Sequence, residues 1–157
     1  MIEVKVAGIA MDASNMPIII LKDEHGKKVL PIWVGLFEAQ AILFALEGLV
    51  PPRPLTHDLL KVIIETMDIV VKSVVINMIQ DNTYFAKIEI QGNGHFKEID
   101  CRPSDAIALA LRTSSPIYVS DPVLSMATMP QVPIDDNEVQ VFKNMLKDIK
   151  PKDIGLL

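Results

Sequence analysis

Cysteine is nearly absent from this chain: Cys101 stands alone among 157 residues and has no second thiol with which to form an internal disulfide. A disulfide framework is excluded, and a single thiol fits a reducing compartment, so the cytoplasm is the expected location. Long apolar runs are missing too. Half of the residues are apolar, yet no stretch approaches the roughly 20 uncharged apolar residues that a membrane-spanning helix needs. The first residues, Met1 to Val6, alternate charged and apolar side chains without a basic segment leading into an apolar run, which is not the pattern of a secretory signal. Basic residues are outnumbered, 15 Lys and Arg against 20 Asp and Glu, for a net charge of −5. That balance lacks the broad basic footprint of a tight, non-specific nucleic-acid binder, so any contact with nucleic acid is expected to be local, weak or metal-mediated. Also absent are a phosphate-binding glycine loop, a paired-cysteine zinc motif and a Gly-x-Ser-x-Gly nucleophile elbow.

What is present is enough chain for one ordinary domain with a substantial core. The apolar content is high for so small a surface, and a homo-oligomer, a dimer in the first instance, is expected to cover part of it. Runs rich in Val and Ile at Glu3 to Met11, Pro17 to Lys22 and Lys28 to Val34, separated by Asn15 and His25-Gly26, read as a three-stranded meander. Gly35 and Gly48 bracket a helix over Leu36 to Glu47, apolar nearly all round apart from Glu38, Gln40 and Glu47, and therefore expected to be buried on most sides. The break Val50-Pro51-Pro52-Arg53-Pro54 ends it. Thr56 is placed to cap a second helix running to about Met67, with Leu59, Leu60, Ile63, Ile64 and Met67 on one stripe.

Period-two alternation returns at Val70 to Ile79, Thr83 to Gln91 and His95 to Cys101, with turn signals at Gln80-Asp81-Asn82 and Gly92-Asn93-Gly94, predicting three more consecutive antiparallel strands. Ser104 to Arg112 is a third helix whose body of Ala, Ile and Leu suits close packing against a sheet or a partner subunit. A short strand at Ile117 to Ser120, a loop carrying Pro122, Pro130 and Pro133, and an amphipathic helix over 136–149 complete the pattern. The expected fold is α+β: a single compact domain with a mixed, largely antiparallel sheet packed by three to four helices. Its core spans 1–123, and 124–157 supply a C-terminal loop and helix that complete the same domain.

Three polar features stand out from this apolar background. Glu38 sits in the first turn of an otherwise apolar helix, where a carboxylate needs a partner, a cation or water; it reads as a metal ligand or base, or as an exposed partner of the helix dipole. Arg53-Pro54-Leu55-Thr56-His57-Asp58 gathers a guanidinium, a hydroxyl, an imidazole and a carboxylate at a helix start, where outward amides and Arg suit a phosphate. The structural alternative is a cap at Thr56, with Asp58 complementing the dipole and Arg53 on the surface. Asp100-Cys101-Arg102-Pro103-Ser104-Asp105 repeats the design between a strand and a buried helix, and its alternative is a capped helix with Asp100 and Arg102 as an ion pair. Carboxylates drawn together repel unless a hard cation joins them, and Mg²⁺ or Mn²⁺ takes such oxygen ligands and organises phosphoryl transfer.

Taken in order, Leu30-Pro31-Ile32-Trp33-Val34-Gly35, Glu38, the segment Arg53 to Leu60 and the segment Asp100 to Ala110 resemble the bifunctional nuclease domain family, over about Glu3 to Val123. The resemblance implies a mixed α+β domain, usually oligomeric, acting on RNA or DNA. Combined with the chemistry above, it nominates Glu38, Asp58, Asp100 and Asp105 as the ligand pool for one divalent ion, Mg²⁺ or Mn²⁺. Arg53, Arg102 and Ser104 are nominated for the phosphate, and His57 for proton transfer beside Asp58, Asp105 and Glu38. Two other readings share these residues: a non-catalytic anion-binding or protein-interaction module, which the acidic total favours, and a hydrolase of small phosphoesters.

Overall fold

The computed structural model describes residues 1–127. Its strands are β1 (Ile2–Met11), β2 (Pro17–Asp23), β3 (Val29–Trp33), β4 (Val70–Gln80), β5 (Thr83–Gly92), β6 (His95–Cys101) and β7 (Ile117–Val119). The helices are α1 (Leu36–Leu46), α2 (Thr56–Thr66), α3 (Pro103–Thr113) and α4 (Asp121–Met126). The helix expected over 136–149, and the loop positions Pro130 and Pro133, lie outside the described residues. Pro122 does not lie in a loop. It sits in the first turn of α4, where a missing N–H costs nothing.

Local chemistry explains the two meanders. Asp81 and Asn82 adopt φ of 50° and 60°, Asn93 and Gly94 adopt 49° and 75°, and these pairs close the β4–β5 and β5–β6 hairpins between Gln80↔Thr83 and Gly92↔His95. Two successive positive φ values are what a two-residue hairpin turn needs to match the twist of its strands. At the β1–β2 turn the Asp12 carboxylate accepts from the Ser14 and Met16 N–H groups, at 2.8 and 3.0 Å.

The meanders join into a single seven-stranded sheet of order β3-β2-β1-β7-β4-β5-β6. The short β7 is the seam, antiparallel to β1 and parallel to β4. The fold is thus α+β, as expected, with a mixed, largely antiparallel sheet and, among the described residues, four helices. Among the described residues no helix is long and apolar enough to cross a membrane.

α3 is the packing centre. Ala106, Ile107, Ala108 and Leu109 have no exposure, and the helix lies between α1 and α2 while resting on β4 and β5. Its small residues let three helices approach the sheet together. Burying each Ile or Leu side chain fully contributes roughly 1.5–3 kcal/mol.

Two helices are less covered than their patterns suggest. On α1, Ala39, Gln40, Ile42, Leu43 and Phe44 are buried, but Leu36, Phe37 and Leu46 are exposed, because among the described residues no element covers its outer side. On α2 no residue is fully buried: Leu60 and Ile64 pack on the core, while Leu59, Ile63 and Met67 face outward from the same stripe.

Candidate functional site

The two polar segments, far apart in the chain, meet because α2 and α1 flank α3 at its N-terminal end. His57, at the second position of α2, places its Nε2 3.0 Å from Oδ1 of Asp105, in the first turn of α3. Arg102 stands just before that helix. It donates from Nε and Nη2 to the two Asp105 oxygens at 2.9 and 3.1 Å, and from Nη1 to Glu38 at 3.1 Å. A guanidinium has more N–H donors than these three contacts use, and the Arg102 side chain is about two-thirds exposed, which leaves donors to spare.

Glu38 reaches Arg102 from the first turn of α1 by lying back over Gly35. A Cβ at Gly35 would run into the Glu38 carboxylate, the movable end of a flexible side chain, and the φ of −72° at Gly35 is ordinary. Arg102, Glu38, His57 and Asp105 together border a cleft of about 480 Å³ between α1 and α2, walled also by Phe37, Phe44 and Gln40. On its far side the Glu38–Arg102 pair borders a second cleft of about 320 Å³, with Trp33 and Tyr84 in its lining.

The charges are mutually supporting. Burial pushes the Asp105 carboxyl up, but the hydrogen bonds and charges of Arg102 and His57 outweigh burial and hold it below the ordinary value of 3.8. The hydrogen bond and charge of Asp105, with a smaller contribution from Glu38, push Arg102 above its ordinary range. Asp105 is therefore an acceptor at neutral pH. Its Oδ1 can accept from Nε2–H of His57, and the other ring nitrogen, Nδ1, has no hydrogen-bond partner among the described residues. Cys101, one residue before Arg102, is pushed up to about 11 by burial and by the carboxylates of Asp105 and Asp100, so its thiol stays protonated and is no nucleophile at neutral pH.

The other nominated residues take different partners, although Ser104 lines the smaller cleft beside Glu38 and Arg102. Asp58, next to His57, turns the other way: Oδ1 accepts from Nε of Arg112 at 2.8 Å and Oδ2 from the Leu55 N–H at 2.9 Å. Arg112 also donates to the Ala108 carbonyl, at 2.9 Å, which ties the start of α2 to the last turns of α3. Thr56 is the first helical residue and Leu55 the N-cap, so the expected threonine cap is replaced by the Asp58 carboxylate reaching back to the N–H of Leu55. Ser104 is buried in the first turn of α3 and makes no capping bond; Arg102 is the N-cap. Asp100 is exposed on the edge strand β6 and makes no ion pair with Arg102, whose contacts go to Asp105 and Glu38. Arg53 is exposed and makes no ion pair among the described residues.

The four nominated carboxylates thus do not converge. Among the described residues no group of three or more His, Cys, Asp and Glu side chains could hold a metal ion. Glu38 and Asp105 share a partner, but that partner is a guanidinium. Mg²⁺ or Mn²⁺ needs one or two free carboxylates beside water and phosphate oxygens, and as arranged those of Glu38 and Asp105 are engaged by the Arg102 guanidinium.

The comparisons follow the same residues. A family model described as the bifunctional nuclease domain matches residues 19–132, from within β2 through α4 and beyond. This chain belongs to the bifunctional nuclease domain family. An uncharacterized protein of Mycobacterium tuberculosis is 36% identical, over 96% of both chains. Plant proteins named bifunctional nuclease 1 are 32% identical in Oryza sativa and 31% in Arabidopsis thaliana, each over 69% of this chain. The chain spans about a third of those plant proteins, 34% and 35% of their length. The matched range includes the whole His57–Asp105–Arg102–Glu38 cluster, whereas all of β1 and the first two residues of β2 lie outside it.

Sequence reasoning missed Arg112, which closes the last turn of α3 and looks like an ordinary helix-end cation. It noticed Gln40 only as a polar interruption of α1.

Proposed function

We propose that this protein hydrolyses phosphodiester bonds of RNA or DNA in the cleft between α1 and α2. The observation that carries the reading is the 3.0 Å contact between His57 and Asp105 with Arg102 beside it. Membership of the nuclease family and the names of the plant relatives support it. Asp105 holds the imidazole by Nε2, and Nδ1 takes a proton from water as the water oxygen attacks phosphorus. Arg102 offers its unused N–H groups to the non-bridging oxygens, whose negative charge grows as the new P–O bond forms. The old P–O ester bond breaks, and the proton passes from Nδ1 to the leaving oxygen. Glu38 keeps the guanidinium turned toward the opening.

No step is routed through a metal, because the carboxylates do not fit one as arranged; Mg²⁺ and Mn²⁺ belong to the test. Self-association as a dimer is part of the same reading, supported by the outward Leu59, Ile63 and Met67 on α2. The test is cleavage of labelled single-stranded RNA and DNA by purified protein with Mg²⁺, with Mn²⁺ or with chelator, alongside His57→Ala and Asp105→Ala. Turnover that falls roughly 10²- to 10⁴-fold in folded His57→Ala supports the mechanism. Absence of turnover by the unaltered protein in every condition would overturn it in favour of a non-catalytic anion-binding module. Turnover on nucleotides alone would point to a small phosphoester hydrolase.

A further inference from the structure

One group in the cleft is left unused by the phosphodiester chemistry. Gln40 is 5% exposed on α1, borders the cleft, and has its side-chain nitrogen buried without a hydrogen-bond partner among the described residues. A buried amide without a partner is costly, and a purely structural helix position would have been served better by Leu or Met. Phe37 and Phe44, three residues before Gln40 and four after it, lie on the same face of the helix and line the same cleft. Phe37 is 72% exposed, an aromatic face open to anything that enters. The volume, about 480 Å³, suits a small organic group.

We infer that this part of the cleft is a nucleobase subsite, in which Phe37 stacks on the base adjoining the phosphate held at Arg102 and the Gln40 carboxamide reads its hydrogen-bonding edge. The inference rests on the phosphodiester reading of the same cleft and names what selects its substrate. A carboxamide presents a donor beside an acceptor, which matches the paired acceptor and donor on base edges and finds no counterpart on a bare sugar phosphate. Stacking alone holds any base, so discrimination among bases is assigned to Gln40 and general retention to Phe37.

The experiment is calorimetric binding of the four nucleoside 5′-monophosphates and of ribose 5-phosphate to the full chain and to the Gln40→Met and Phe37→Ala variants. The expected result is that the preferred nucleotide binds roughly five- to hundred-fold tighter than the least preferred one. Gln40→Met should level the four nucleotides while leaving ribose 5-phosphate unchanged, and Phe37→Ala should weaken all four together. Gln40→Met should also melt no lower than the unaltered protein, since an apolar chain of similar size replaces an unpaired amide. Equal affinities for all four bases, no advantage over ribose 5-phosphate, no binding at all, or an unchanged preference in Gln40→Met would overturn the inference. So would a lower melting temperature in Gln40→Met, which would mark the amide as a structural hydrogen-bonder. Base-dependent binding without cleavage would sustain the subsite and remove the catalytic reading, whereas cleavage without base preference would do the reverse.

Discussion

His57 and Asp58 are neighbours in one helical turn, yet they join two arginine–carboxylate clusters of opposite character. In the Asp58–Arg112 pair the guanidinium is buried, the Arg112 side chain being 7% exposed against 27% for Asp58, and both oxygens of Asp58 are taken up by Arg112 and a backbone N–H. The Asp105–Arg102 pair opens on a cleft, with the guanidinium 65% exposed and donors to spare. The same pair of residue types therefore serves as a clamp in one place and as a receptor in the other. What separates them is access. A buried guanidinium bound to a carboxylate whose two oxygens are both occupied holds helices together, whereas an exposed guanidinium with donors left over can exchange partners with a ligand.

The largest effect should come from exchanging the two neighbours' fates. Replacing His57 by Ala is expected to lower turnover by roughly 10²- to 10⁴-fold, with stability changed by no more than about 1 kcal/mol, measured by cleavage kinetics and urea unfolding on the same preparations. A comparable loss of turnover in Asp58→Asn with unaltered stability would erase the distinction between clamp and receptor.

Arg112→Leu tests the clamp itself. It leaves a partly buried Asp58 without its cation and should cost about 2–4 kcal/mol in urea unfolding, below the range for a fully buried pair because Asp58 keeps some solvent. Arg102→Leu, at the exposed pair, should cost about 1 kcal/mol or less and reduce turnover instead. If the two variants were equally destabilised, exposure would not be what divides the clusters.

The smallest effect is one of pH. The Asp105 carboxyl is held below its ordinary 3.8, so the stability it contributes is fully present above that pH and is lost as acid carries the solution down through its lower folded value. Acid unfolding below about pH 4 should accordingly be shallower in Asp105→Asn than in the unaltered protein. An unchanged slope would mean that the receptor pair contributes nothing to folding.

Much of this was legible in the residues. Val- and Ile-rich alternation with Asp81-Asn82 and Asn93-Gly94 between the runs located β4, β5 and β6, because hairpin turns and strand faces depend on neighbours a few positions apart. The Arg/His/Asp segment and the Asp/Arg/Ser segment were recognisable as unusual, since polar groups at the starts of buried helices ask for partners. Which partner each would find was not legible. Arg112 looked like a helix-end cation, Asp58 and Asp105 looked alike, and the outward half of the α2 stripe looked like core.

By itself the sequence determined the elements, the turns and the short list of polar residues from which a site had to be drawn, all of them consequences of short-range periodicity and turn geometry. Only the tertiary structure decided that three-residue β7 would weld the two meanders into one sheet and that His57 would meet Asp105 while Asp58 met Arg112. The reason is physical: periodicity states which face of an element is buried, but partners 48 and 54 positions apart are chosen by how the helices pack on the sheet.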